Sequence, residues 1–234
     1  MSKEAILLKI TGKLFLDPTT NQLTRVYADS LATQIKTLQE RYTFGIVIGG
    51  GAFFRGTEHN HALNLRSAMA HTIGMLATVM SSTMLYDIFY EHGIPCTLLC
   101  GFDCSLAGTI VSQPAIDQAY AHQHVIIFGG GTGNPYVSTD TCAVIRAKQM
   151  GALQLWKATN VDGVYTADPQ QNRSARLLNN VHYHEALDKQ LHFMDSTAIV
   201  LAQQEKLITR VFNVFSQNAI LNAAQDTQWG TIID

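Results

Sequence analysis

Short apolar runs at residues 5–10, 44–48, 95–100, 125–128, 153–157 and 209–213 alternate with longer stretches whose apolar residues recur at helical spacing. Strands buried on both faces read as unbroken apolar runs, and parallel neighbours need a crossover long enough to hold a helix. The pattern predicts an α/β fold with a mostly parallel central sheet and helices on both faces. Between the first two runs, Leu23, Tyr27, Leu31, Ile35 and Leu38 fall on one face of a helix that packs on the sheet. Segment 74–91 is apolar around much of its circumference. As a helix it either buries itself wholly within the monomer or leaves surface for a subunit interface. Residues 167–180 are polar and aperiodic and read as an exposed loop.

With 234 residues, 47% of them apolar, and no Pro/Gly/Ser-rich linker, a single domain over residues 1–234 is expected. No stretch approaches the roughly 18 uninterrupted apolar residues of a membrane span. Met1-Ser2-Lys3-Glu4 leads straight into the first strand, so a cytoplasmic protein without a membrane partner is expected. A net charge of -2 gives no concentrated basic surface, and no nucleic-acid partner is expected. Cys96, Cys100, Cys104 and Cys142 form no C-x-x-C pair and read as free thiols of a reducing compartment. The pairs His59/His61, His122/His124 and His182/His184 lack a third ligand at a recognisable spacing and read as surface histidines, so no protein metal site is expected.

Two glycine clusters each follow an apolar run: Gly49-Gly50-Gly51 after FGIVI, and Gly129-Gly130-Gly131-Thr132-Gly133 after VIIF. Glycine at the carboxyl end of a strand lets backbone N–H groups approach a phosphate, and a following helix N-terminus adds favourable partial charge. Either cluster taken alone also suits a tight strand-to-helix turn. The familiar nucleotide signatures fail. A P-loop around Gly12-Lys13 would need glycine at Leu7 and a hydroxyl at Leu14, and G-x-G-x-x-G fails at Asn134. Protein-kinase signatures are absent as well.

Leu8-Lys9-Ile10-Thr11-Gly12 sets a lysine at a strand end beside a small hydroxyl residue and a glycine, as a phosphate-contacting turn requires. With it come Ile48-Gly49-Gly50-Gly51, Phe54-Arg55-Gly56, Gly74-Met75-Leu76-Ala77-Thr78 and Gly131-Thr132-Gly133-Asn134-Pro135 leading to Ser138-Thr139-Asp140. Further on stand Lys157-Ala158-Thr159, Val161-Asp162-Gly163-Val164-Tyr165, Ala167-Asp168-Pro169, Met194-Asp195 and Arg210-Val211-Phe212-Asn213. In this order and over nearly the whole chain, these blocks resemble the bacterial uridylate kinases of the amino acid kinase superfamily.

The resemblance implies a three-layer αβα sandwich of about eight strands, with an amino-terminal half that binds the phosphate acceptor and a carboxyl-terminal part that binds ATP. It implies transfer of a phosphoryl group from ATP, taken with Mg²⁺, to UMP, and a homo-oligomer, hexameric in the family. Carried over at matching positions, Lys9, Ile10, Thr11 and Gly12 hold the ATP phosphates, and Gly51 and Arg55 hold the transferring group. Thr159, Tyr165 and Asp168 line the ATP base and ribose site. Gly50, His71 and the segment Thr132, Gly133, Asn134, Pro135, Tyr136, Val137, Ser138 and Thr139 bind UMP. Asp195 orients the catalytic lysine, Lys9. The residue types suit phosphoryl transfer, which asks for positioning and positive charge more than for covalent chemistry. Lys9 also reads as a surface lysine at a strand end, and Asp195 as a helix N-cap before Ser196-Thr197-Ala198.

The chain departs from the family pattern at three places. Lys13 replaces a glutamate. Tyr86, Tyr90 and Thr97 stand where GTP-regulated members carry basic residues, so no GTP activation is expected. His71 occupies the place of an aspartate that contacts the nucleoside, and a solvent-facing helix histidine is the other reading of it. The alternatives to a UMP kinase are a kinase of another small phosphorylated or carboxylated acceptor, and a nucleotide- or oxyanion-binding protein without turnover. Lys9, Arg55 and Asp195 occurring together count against the latter. A dinucleotide oxidoreductase is disfavoured by the failed glycine signature.

Overall fold

The computed structural model describes residues 3–54, 63–169, 171–172 and 174–234. Arg55, His59 and His61 lie outside the described residues. Strands β1 (Glu4–Ile10), β2 (Tyr42–Ile48), β3 (Cys96–Cys100), β4 (Thr109–Ile110), β5 (Val125–Gly129), β6 (Gln154–Thr159), β9 (Asn180–Val181), β10 (Ile208–Asn213) and β11 (Thr231–Ile233) form one sheet in the order β4-β3-β5-β2-β1-β6-β10-β11-β9. Every pairing in it is parallel except β10–β11. Strands β7 (Val164–Tyr165) and β8 (Leu177–Leu178) make a separate antiparallel pair. All six apolar runs are strands. Among the described residues the sheet holds nine strands rather than about eight because β4 and β9 are two-residue edges too short to leave a periodic signal. Residues 167–180 are not loop throughout, since β8 and the start of β9 fall within them.

Side-chain alternation along each strand divides the core between the two faces. Ile6, Leu8, Ile10, Phe44, Ile46, Trp156 and Phe212 pack under α1 (Val26–Leu38), α2 (Ser67–Glu91) and α7 (Ala219–Gln225). Leu7, Val47, Ile126, Phe128, Leu155 and Val211 pack under α3 (Gln113–Ala121), α4 (Thr139–Gln149), α5 (Tyr183–Asp188) and α6 (Ser196–Gln204). Both faces are thus covered, as the unbroken apolar strands require. On the first face the rings of Tyr42, Phe44, Trp156 and Phe212 meet at centroid separations of 5.8 to 6.4 Å, clamping β2, β6 and β10 across β1.

Helix α1 begins at Val26, so Leu23 is not on its packed face: it bridges to Leu16 and is 61% exposed. The Asp17 carboxylate accepts from the Thr19 and Thr20 amides, and the resulting turn delays the helix. Helix α2 is long and apolar enough to cross a membrane by length and composition. Ala77, Thr78, Ser81, Ser82, Leu85, Ile88 and Phe89 are nevertheless buried in it, and Ser82 donates to the Phe128 carbonyl of β5. Its opposite side leaves Met69, Leu76 and Met80 exposed on one stripe.

Candidate active site

Because β1, β2, β5, β6 and β10 are parallel, their carboxyl ends share one edge, and chain order reverses around β1. Open α/β sheets bind their ligands at such a reversal. The glycine clusters and Thr11-Gly12 all sit there. Thr11 donates its amide to Ala158 O at 3.0 Å and caps the 3₁₀ turn Gly12–Phe15. A Cβ at Gly12 would lie 2.3 Å from both the Gly49 carbonyl oxygen and the Gly51 nitrogen, so no side chain fits where the β1 and β2 turns meet. Ile10 keeps its side chain in the core and gives its carbonyl to the Gly49 amide.

Lys9 of β1 and Lys157 of β6 are register partners, so the sheet sets two ammonium groups side by side on the face covered by α4. Like charges placed opposite one another on adjacent strands repel. Asp140, in the first turn of α4, resolves the conflict: Lys157 Nζ donates to its Oδ2 at 2.6 Å, and Lys9 Nζ lies 2.9 Å from Oδ1 as an ion pair. The Lys157 side chain is only 9% exposed. Burial would raise the Asp140 carboxyl, but Lys9 and Lys157 overrule it and hold the group down to about 2. Burial, and then repulsion from Lys9, pushes Lys157 down to about 8 against the pull of Asp140 and Asp195.

Asp195 does not touch Lys9, contrary to the role the resemblance implies. It caps α6 by accepting from the Ala198 amide at 3.1 Å, and it accepts from the hydroxyls of Ser138 and Thr141. Ser138 in turn caps α4, accepting from the Asp140 and Thr141 amides at 3.0 Å each. Asp195 therefore ties together the amino ends of two helices, whose partial positive charges add to those of the two lysines. The carboxylate that orients Lys9 is Asp140. Asp140 and Lys157 carry a signal that sequence reasoning left unused, since a lysine inside an apolar strand run is almost never buried unpaired.

A cleft of about 490 Å³ opens beside this cluster, lined by Lys157, Thr159, Asn160, Tyr165, Asp168, Leu191 and Phe193 among others. Its size suits a nucleotide base and sugar. It gathers three residues predicted from the sequence, Thr159, Tyr165 and Asp168, and adds the α5–α6 connection, which the sequence did not mark. Burial raises the Tyr165 phenol, which keeps it neutral and able to donate.

The acceptor residues expected from the sequence lie across the strand ends. Gly130 and Gly131 have φ of +73° and +59°, Gly133 has +79° and Tyr136 has +68°, so the loop from β5 to α4 coils through left-handed conformations. At Gly133 a Cβ would also lie 2.2 Å from Gly101 O. Thr78 of α2 accepts from the Gly130 amide at 2.9 Å. A Cβ at Gly50 would lie 2.7 Å from that of Ala77. His71 meets Tyr136 with ring centroids 4.5 Å apart. Thr132 and Asn134 bond within the loop, and Pro135, Val137 and Thr139 complete the path to the cap of α4. Gly51 flanks the Gly12 turn.

The model of the amino acid kinase family matches residues 4–213. The uridylate kinase of Mycoplasma pneumoniae is 37% identical over 231 residues, 98% of each chain, and that of Mycoplasma genitalium is 36% identical over 99% of this chain and 96% of its own. The crystal structure of UMP kinase from Ureaplasma parvum superposes with a TM-score of 0.94 at 31% identity over both whole chains. That of UMP kinase from Bacillus anthracis gives 0.92 at 26%, over 100% of this chain and 97% of the other. The chain belongs to the amino acid kinase family, on its uridylate kinase branch.

Proposed function

We propose that this protein is a UMP kinase that moves the γ-phosphoryl group of ATP onto the phosphate of UMP, giving ADP and UDP for pyrimidine nucleotide synthesis in the cytoplasm. The observation that carries the reading is the Lys9–Asp140–Lys157 cluster beside two helix amino ends, between the nucleotide-sized cleft and the loop 130–139. The ATP adenosine lies in the cleft against Thr159, Tyr165 and Asp168. Its phosphates reach the Thr11-Gly12 turn, Gly51 and the two ammonium groups. UMP lies along Gly50, His71 and residues 132–139, and Arg55 serves the transferring group. Charge that spreads onto the phosphoryl oxygens in the transition state meets preorganised donors, which is where such catalysis gains most. Asp140 keeps Lys9 and Lys157 aimed and apart.

Among the described residues no group of three or more His, Cys, Asp or Glu side chains is placed to hold a metal ion. Mg²⁺ taken up with ATP would be held mainly by the nucleotide itself beside the Thr11-Gly12 turn and the two lysines, and would supply further neutralisation of phosphate charge there. The exposed stripe Met69, Leu76 and Met80 on α2 is surface that a homo-oligomer, hexameric as in the family, would cover.

In a coupled assay of ADP release with Mg-ATP, UMP turns over faster than CMP, AMP or GMP. A different preferred acceptor would move the protein to another substrate within the same chemistry. A pH profile follows from Lys157. Its ammonium loses a proton as pH rises through about 8 in the free enzyme, so kcat/KM falls above that pH by about tenfold per unit. Bound triphosphate stabilises the charged form and carries the kcat limb to higher pH. A kcat/KM profile flat from pH 7 to 10 would remove Lys157 from the reaction.

A further inference from the structure

Helix spacing places His71, Met75 and Thr78 on one face of α2, the face turned toward the loop after β5. Contacts run along that stripe in order: Thr78 accepts from the Gly130 amide, a Cβ on Gly131 would lie 4.0 Å from Met75 Cγ, and His71 meets the Tyr136 ring. Tyr136 combines two unusual properties. Its φ of +68° is a left-handed conformation that costs a bulky residue free energy, and its side chain is 66% exposed although it is a large aromatic. Strained residues of this kind persist where the surroundings hold them, and they cluster at ligand clamps. His71, itself exposed, braces one side of the tyrosine ring at a tilt of 53° and leaves the remainder open. Only Val137 separates Tyr136 from Ser138, the cap of the helix that carries Asp140.

We infer that His71 and Tyr136 form an aromatic platform on which the base of the acceptor nucleotide stacks, so that this pair determines acceptor recognition through a planar ring. The inference rests on the proposed acceptor site and specifies how it holds its ligand. The exposed Tyr136 phenol, steadied by the His71 imidazole tilted 53° against it, presents a planar polarisable face, and base–aromatic stacking is the interaction such a face offers a nucleotide. Neither side chain brings a carboxylate to clasp sugar hydroxyls at two oxygens. The contribution should depend on the base and be indifferent to the sugar phosphate.

The test compares UMP with ribose 5-phosphate, which carries the same sugar and phosphate without the base. In His71→Ala and Tyr136→Ala the KM for UMP rises about tenfold, within the range of one base–aromatic stack, and kcat changes little. The inhibition constant of ribose 5-phosphate against UMP stays as in the unaltered enzyme. His71→Phe and Tyr136→Phe, which keep a ring, restore most of the UMP affinity. An equal rise for UMP and ribose 5-phosphate would assign the pair to the sugar phosphate or to loop structure and overturn the inference, as would unchanged UMP kinetics in both alanine variants. Failure of the unaltered enzyme to turn over UMP overturns the proposed function itself and is read before any variant is compared.

Discussion

Lys9→Ala lowers kcat for UMP phosphorylation by roughly 10²–10³-fold, the loss usual when one preorganised transition-state donor is removed. The KM for ATP changes less, because Lys157, the helix amino ends and the glycine turns still hold the ground-state phosphates. The size of the effect follows from placement. Lys9 stands at the end of a central strand beside Lys157, with Asp140 fixing its ammonium at 2.9 Å. A flexible surface lysine would have to be ordered anew in every turnover, whereas this one is already in position. Melting temperature separates a catalytic from a structural defect. The variant still leaves Asp140 bonded to Lys157, so its fold holds while its rate falls. A Lys9→Ala enzyme with near-normal kcat would reduce Lys9 to a strand-end side chain.

Asp140→Ala damages both stability and rate. Without the carboxylate two neighbouring ammonium groups face each other, and Lys157 is buried with no partner for its charge. Breaking one side of a buried ion pair costs about 3–5 kcal/mol, and the low end applies because Lys9 and Asp140 retain some contact with solvent. The rate falls by about 10²-fold or more as the two lysines lose their aim, since misplacement of about 1 Å can cost that much. Asp140→Asn keeps the volume and one accepting oxygen, so it recovers most of the stability and less of the rate. Thermal unfolding alongside kcat for both variants checks this. Wild-type stability in Asp140→Ala would mean that the cluster is not what holds Lys157.

Most of the fold was legible because each central strand is buried on both faces and therefore reads as an unbroken apolar run. The two-residue edges β4 and β9 were not, since such short pairings are decided by neighbours rather than by periodicity. Leu23 matched the helical spacing yet lies outside α1, where a local Asp17 turn prevailed over the pattern. At the site, Lys9, the glycine turns and the residues lining the cleft were visible as residue types beside strand ends. The charge pairing was not. Asp195 and Asp140 both stand at helix starts, and only the three-dimensional register, Lys9 beside Lys157 beneath the first turn of α4, distinguishes the carboxylate that holds lysines from the one that joins two caps. The expectation for Asp195 came from resemblance, and the contact geometry assigns that position to Asp140.

The most direct test of the account follows the labelled γ-phosphoryl group of ATP in the presence of Mg²⁺ and UMP. Label is expected to leave ATP and appear in UDP in step with ADP, one for one, and transfer is expected to drop in parallel with kcat in Lys9→Ala. Label released as inorganic phosphate, or ATP left intact with every nucleoside monophosphate offered, would contradict it.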